Sequence, residues 1–213
     1  MTTDVNDLKV ISDVRDYLMA RFNGSINLND IAKAMNFDAT VLNGLVKTEE
    51  ELLEKIILLE RDSIQAYFNE LRLETMSALD TLIIVGQEVF DRFQHISPGI
   101  LSNLKNSYPN LFESLVKPYL IGISNQLKKN LLKGVDEGYY RMDIDVDIMT
   151  QNFLTELMQY HESNTSTFVH FSFGMIFNNL FERFISEVTT PEGWQYFMRR
   201  RQFIEAIDFG HLL

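Results

Sequence analysis

Three groups of side chains in this 213-residue chain have types and spacings that could do chemistry. Asp143, Asp145 and Asp147 alternate along the chain, as carboxylates do in a calcium loop. Ile144 and Val146 fill the intervening positions, and the glycine and distal glutamate of such a loop are missing. The aspartates therefore read as the acidic cap of the next helix. His161, Glu162 and His170 offer nitrogen and oxygen donors, but no His-x3-His pair or cysteine pair supports a zinc site. Hydrogen-bonded or surface histidines are the better reading, and neither a metal nor a cofactor is expected. Arg199, Arg200 and Arg201 form the one dense basic run, which suits a solvated face pairing with acidic neighbours. There is no glycine-rich phosphate loop, no Gly-x-Ser-x-Gly elbow and no His-Glu-x-x-His. No catalytic residue is assigned, and no enzyme is expected.

The composition bounds what can hold these groups in place. Hydrophobic residues make up 46% of the chain and aromatics 12%, enough for a large interior, and charged residues at 23% argue against wholesale disorder. Cysteine is absent, which excludes disulfides and thiol chemistry and fits a reducing compartment. The acidic N-terminus has no apolar run of a signal peptide, and Phe168 to Phe177 is too short and too broken to span a bilayer. A soluble, cytoplasmic protein with no membrane partner is the expectation. The formal net charge is -11, and residues 1–60 contribute six basic against eleven acidic side chains.

The positioning elements read as helices throughout. Leu8, Ile11, Val14, Leu18 and Phe22 give a first helix one apolar face. Asn27 is placed to cap a second helix that turns Leu28, Ile31, Ala32 and Met35 inward and stops at Asn36. Asp38 caps a third, whose apolar side is Val41, Leu42 and Leu45. Thr48 with Glu51 is a capping box opening a long fourth helix. Further helices are predicted from about Ser77 to Phe93, from Pro98, from Asn110 to Glu137 with a kink near Pro118, from Asp143 or Asp145 to Glu162, from Thr165 to Val188, and from Pro191. No run of alternating β-branched residues signals a sheet, so the fold class is all-α.

Three short helices and a long fourth, over Ile11 to Leu53, resemble the tetracycline-repressor (TetR) family of transcriptional regulators. Asp30-Ile31-Ala32-Lys33-Ala34 is similar to the family's second-helix motif, and Thr48-Glu49-Glu50-Glu51-Leu52-Leu53 to the start of its fourth helix. Gly138-Tyr139-Tyr140-Arg141 resembles a Gly-x-Tyr-Arg turn found in many members. The resemblance implies a homodimer with a helix-turn-helix module over residues 1–47 and a ligand-binding, dimerising bundle over residues 48–213. It further implies double-stranded DNA as partner and a small apolar effector that releases or alters DNA binding.

The third helix departs from the family's pattern. Ala39 stands where lysine is common, Asn43 and Leu45 replace aromatics, and Glu49 replaces a lysine. Each exchange removes a group that would hold phosphate. Two readings follow: a regulator with unusual contacts, or a vestigial helix-turn-helix that serves a ligand- or protein-binding dimer. Under the first, Thr40 and Asn43 are the candidates for bases, and Lys33 and Lys47 for phosphates.

Aromatic rings crowd the helix ending at Val188. Phe173, Phe177, Phe181 and Phe184 form a stripe, with Phe168 and Phe171 off it, so the helix should be buried on two sides. One side is read as core. The other is read as a subunit interface, comprising Phe173, Phe177, Phe181 and Phe184 with Ile148, Leu154 and Leu157 of the preceding helix. The pocket that the resemblance implies would draw on Phe90, Phe93, Tyr119, Phe153, Met158 and Tyr160, with His161 and His170 as polar handles.

Overall fold

The computed structural model describes residues 5–22, 24–97, 99–162 and 172–210. Its described residues are helical with short connections and a single isolated bridge, between Tyr140 and Thr189. They gather into two compact units, each with its own core.

The first unit takes in the described parts of Met1–Leu71, His95–Ile121 and Met158–Phe173. Helices α1 (Val5–Arg21), α2 (Leu28–Ala34), α3 (Ala39–Leu45) and α4 (Glu49–Leu71) are joined there by α6 (Ile100–Ser107) and α7 (Pro109–Leu111). Three helices as short as α1 to α3 cannot bury enough surface for a stable core. Leu52, Leu53 and Ile56 of α4 and Leu104, Leu111, Phe112 and Val116 complete it around Val14, Ile31 and Leu42. The unit thus crosses the module boundary expected at residue 47, because these apolar faces belong to one cluster. Arg15 and Glu60, both mostly buried, add an ion pair of 2.9 Å from α1 to α4.

Beyond α7 the chain widens into a π-helical turn, Phe112–Val116, before α8 (Lys117–Asp136). Pro118 has no N–H to donate into the preceding turn, and its ring crowds the carbonyl four residues back. The helix accommodates this ahead of the proline: the Lys117 N–H reaches Phe112 O, five residues back. The irregularity expected near Pro118 therefore lies in the turn before it, and α8 runs on through the proline.

The second unit takes in the described parts of Arg72–Gln94, Gly122–Leu157 and Gly174–Leu213. It holds α5 (Ala78–Phe93), most of α8 and of α9 (Val146–Glu162), all but the first residue of α10 (Phe173–Val188), and α11 (Pro191–Gly210). Rings sit on glycines in this unit. A Cβ on Gly134 would overlap the Tyr140 ring, and one on Gly86 would overlap Phe181. Gly138, at φ 79°, ends α8 in the left-handed region that the expected turn requires. Tyr140 then folds back until 1% exposed and donates its hydroxyl to Asn130 Oδ1 at 3.1 Å. Asn130 in turn donates to Ala78 O at 2.8 Å, so α5, α8 and the turn share one half-buried polar chain. Burial pushes the Tyr140 hydroxyl far above the ordinary tyrosine range.

Most helix starts fall where capping chemistry puts them. Of the two aspartates offered as a cap for α9, Asp145 accepts the Ile148 N–H at 3.0 Å, whereas Asp143 binds Arg141. Two starts differ. The helix expected from Pro98 begins at Ile100, behind Gly99; Pro98 itself lies outside the described residues. The helix expected from Thr165 is described from Phe173 onward, and residues 163–171 lie outside the description. No helix among the described residues is long and apolar enough to cross a membrane.

Candidate functional site

The helix-turn-helix is built by local hydrogen bonds. The Asn27 carboxamide oxygen accepts the Asn29 and Asp30 N–H groups at 2.9 and 3.2 Å, starting α2. At the other end Asn36 takes a positive φ of 54°. The Phe37 N–H reaches Ala32 O and the Asn36 N–H reaches Lys33 O, the paired bonds of a Schellman stop. Asp38 then starts α3 by accepting both the Thr40 N–H, at 2.9 Å, and the Thr40 hydroxyl, at 2.8 Å. The backbone bond from Thr40 first, then the hydroxyl bond, hold the Asp38 carboxyl below its ordinary range.

The far end of α3 is closed by charge. The Lys55 ammonium donates to Leu45 O at 2.5 Å, where the helix carbonyls need a cation. The capping box expected at α4 forms with one change. Thr48 Oγ1 accepts the Glu51 N–H at 3.1 Å, while the Glu51 carboxylate reaches back to the Lys47 N–H at 2.8 Å rather than to that of Thr48. That backbone bond lowers the Glu51 pKa.

The four DNA candidates all lie at the surface. Lys33 is exposed and 3.9 Å from Asp30; Thr40 is exposed with its proton engaged by Asp38; Asn43 and Lys47 are exposed. Leu42 and Val46 are 0% and 2% exposed, so they hold α3 to the core. Val41 corrects the expected apolar side: it is 39% exposed and faces outward. It lies one residue, about 100° of helix, from Leu42, and in a helix of seven residues that leaves the buried arc. The sequence signal was present in the spacing of Leu42 and Val46.

The pocket candidates divide between the units. Phe90, Phe93 and Phe153 belong to the second and are half-buried. Phe153 stacks on Phe184 at 4.4 Å, and the Phe90 ring occupies the space beside Gly174. Tyr119, Met158 and Tyr160 belong to the first unit. Tyr160 is 2% exposed, packs on Phe173 at 5.6 Å and donates to Ile96 O at 3.1 Å, which makes it a packed core tyrosine. His170 and the side chain of His161 lie outside the described residues. A groove of about 350 Å³ between α1 and α4 is lined by Leu8, Arg15, Leu59, Glu60 and their neighbours, and by none of the pocket candidates.

Among the interface candidates, Phe173, Phe177 and Phe184 are corrected to interior positions, at 2%, 3% and 3% exposed. The stripe they form is the core side of α10. Phe181 is half-buried between Phe177 and Phe197, and Leu154 and Leu157 are half-buried. Ile148 at 55% and Met175 at 54% are the exposed large apolar side chains of α9 and α10. Sequence reasoning missed Met175 because phenylalanines dominate its neighbourhood.

No family profile and no curated protein matches the chain by sequence. Solved structures do match. The ketosteroid regulator KstR2 of Mycobacterium tuberculosis aligns with a TM-score of 0.63 at 15% identity, over 88% of this chain and 98% of that one. A TetR-family regulator from Agrobacterium tumefaciens gives 0.65 at 13% identity, over 85% and 96%. CprB, a TetR-family protein of Streptomyces coelicolor solved with its biological operator sequence, gives 0.64 at 13% identity, over 93% and 98%. Identities this low speak to architecture alone. The chain has the fold of the TetR-family transcriptional regulators.

Proposed function

We propose that the chain is a one-component transcriptional regulator whose helix-turn-helix binds double-stranded DNA as a homodimer. The observation that carries this reading is the state of the module: both caps, the Schellman stop and the buried anchors Leu42 and Val46 are intact, while Thr40, Asn43, Lys33 and Lys47 stand outward. Thr40 and Asn43 would meet bases, and Lys33 and Lys47 phosphates. The dimer would form through the outer surfaces of α9 and α10, with Ile148, Leu154, Leu157 and exposed Met175 as its apolar part. A small apolar effector would lodge against Phe90, Phe93 and Phe153.

Response to the effector has a mechanical basis in the first unit. Phe112 and Val116 share a core with Leu52, Leu53 and Ile56 of α4, so movement of one shifts the other. Dimeric heads must meet half-sites about one helical turn apart, and a modest tilt of α4 spoils that register. Fluorescence polarisation of the gene's upstream DNA, at low and at moderate salt, tests the reading. Binding that weakens as salt rises is expected, and no binding at low salt overturns it.

A second reading rests on the acidity of the head. Residues 1–60 carry eleven acidic side chains, and Glu49 and Glu50 crowd the start of α4. A helix-turn-helix kept only as a structural support of a ligand-binding dimer would look like this. Under that reading, Glu49→Lys with Asn43→Tyr creates salt-dependent binding that the native chain lacks.

A further inference from the structure

The exposed side of α3 differs in chemistry from the rest of its module. Among α1 to α4, only α3 contains no acidic residue, and it contains no basic one. Its outward positions are Thr40, Val41, Asn43 and Gly44. The Thr40 proton is held by Asp38, and a Cβ added to Gly44 would meet nothing within 4 Å, so the surface there is open to close approach. Beside the Thr40 methyl group, an isopropyl group and a carboxamide remain to make contacts.

Those two groups suit one kind of base pair. In the major groove thymine presents a 5-methyl group for apolar contact, and adenine presents the acceptor and donor that a carboxamide matches with two bonds. The strong partners of guanine are Arg and Lys and those of cytosine are Asp and Glu, and none of these charged residues lies on this face. A valine against the cytosine amine would strip that donor of water and offer no acceptor. The chain's net charge of -11 provides no general attraction to a polyanion, so short-range contacts carry more of the affinity. We propose that α3 reads an A·T-rich half-site, with Val41 packing on a thymine methyl and Asn43 pairing with an adenine. Val41 is then a specificity-determining residue. The inference rests on the DNA-binding reading above.

The test separates the two. Duplexes are selected from a randomised library with the full-length protein at low salt, and each thymine of the recovered half-site is then replaced in turn by deoxyuridine. This removes one methyl group and preserves base pairing. At one or two positions the native protein should bind the deoxyuridine duplex about fourfold more weakly, the effect of uncovering one buried carbon. Val41→Ala should bind the two duplexes equally at those positions, and Asn43→Ala should lose its preference for adenine at a neighbouring pair. Val41→Thr, of the same shape, should keep part of the methyl sensitivity, and unchanged melting temperatures would place the effects at the interface. G·C-rich half-sites, or tight binding indifferent to every thymine methyl, would overturn the inference and leave the regulator reading standing. Recovery of no duplex at low salt overturns both.

Discussion

The two units differ in what their interiors hold, although both cap helix starts with side chains, the second through Ser77 and Asp145. In the first, Asn27, Asp38, Thr48 and Glu51 close helix ends at the surface, while the interior is held by aliphatic side chains such as Val14, Leu42 and Leu52. In the second, the Tyr140 hydroxyl, Asn130 and the Ala78 carbonyl form a polar chain inside, beneath rings seated on glycines. Surface caps are replaceable one at a time, because water takes over what each side chain gives up. A polar chain under a ring has no such substitute, and its loss is felt by every helix it joins. The first unit should therefore fail gradually under substitution and the second abruptly. The first unit has two exceptions, polar contacts made mostly out of water: the ion pair of Arg15 with Glu60 and the Tyr160 hydroxyl on Ile96 O.

Substitutions can break this comparison. Gly134→Leu sets a side chain into the Tyr140 ring and should cost about 3 kcal/mol or more. In a chain of this size that lowers the melting temperature by roughly 6–12 °C, readable by calorimetry. Arg15→Ala leaves Glu60 mostly buried without its guanidinium and should cost about 2 kcal/mol in denaturant titration. Asn27→Ala removes a cap and should cost about 1 kcal/mol, detected as faster amide exchange at Asn29 and Asp30. If Asn27→Ala costs as much as Gly134→Leu, the distinction between the units fails.

The smallest effect is a dependence on pH. Folding lowers the Asp38 pKa, so its contribution is complete above the ordinary value of 3.8 and is lost as pH falls through the lower folded value. Amide exchange at Thr40 should accelerate over that acid range. Asp38→Asn keeps a capping oxygen and should flatten this acid limb, since nothing there titrates. An unchanged acid limb in Asp38→Asn would assign it to other carboxylates.

What the sequence disclosed was set by distance along the chain. Asn27, Asp38, Thr48, Ser77 and Pro191 act on backbone groups within a few residues, so their helices start as expected. Val41 and the phenylalanines of α10 depend on what lies across the core. Periodicity shows that a face is apolar and leaves open what covers it, which is why Phe173, Phe177 and Phe184 read as outward and are inward. The DNA candidates lie on loops and helix faces where exposure follows from polarity, and their positions were legible. The pocket candidates came from resemblance alone, and Tyr160 shows how an aromatic on such a helix can be wholly occupied by packing.

The widened turn at Phe112–Val116 gives the chain a local tolerance of changes in length. A π-turn is an α-turn with a residue to spare, so a deletion there can be absorbed by tightening the helix, without opening a loop. Residues downstream then keep their places, because the turn that held the extra residue is the part that closes. Leu127, Leu131 and Gly134 would stay turned to the second core. The same loss within regular helix would rotate everything after it by about 100°, so at this point in the gene a missing codon is a smaller event than one further along α8.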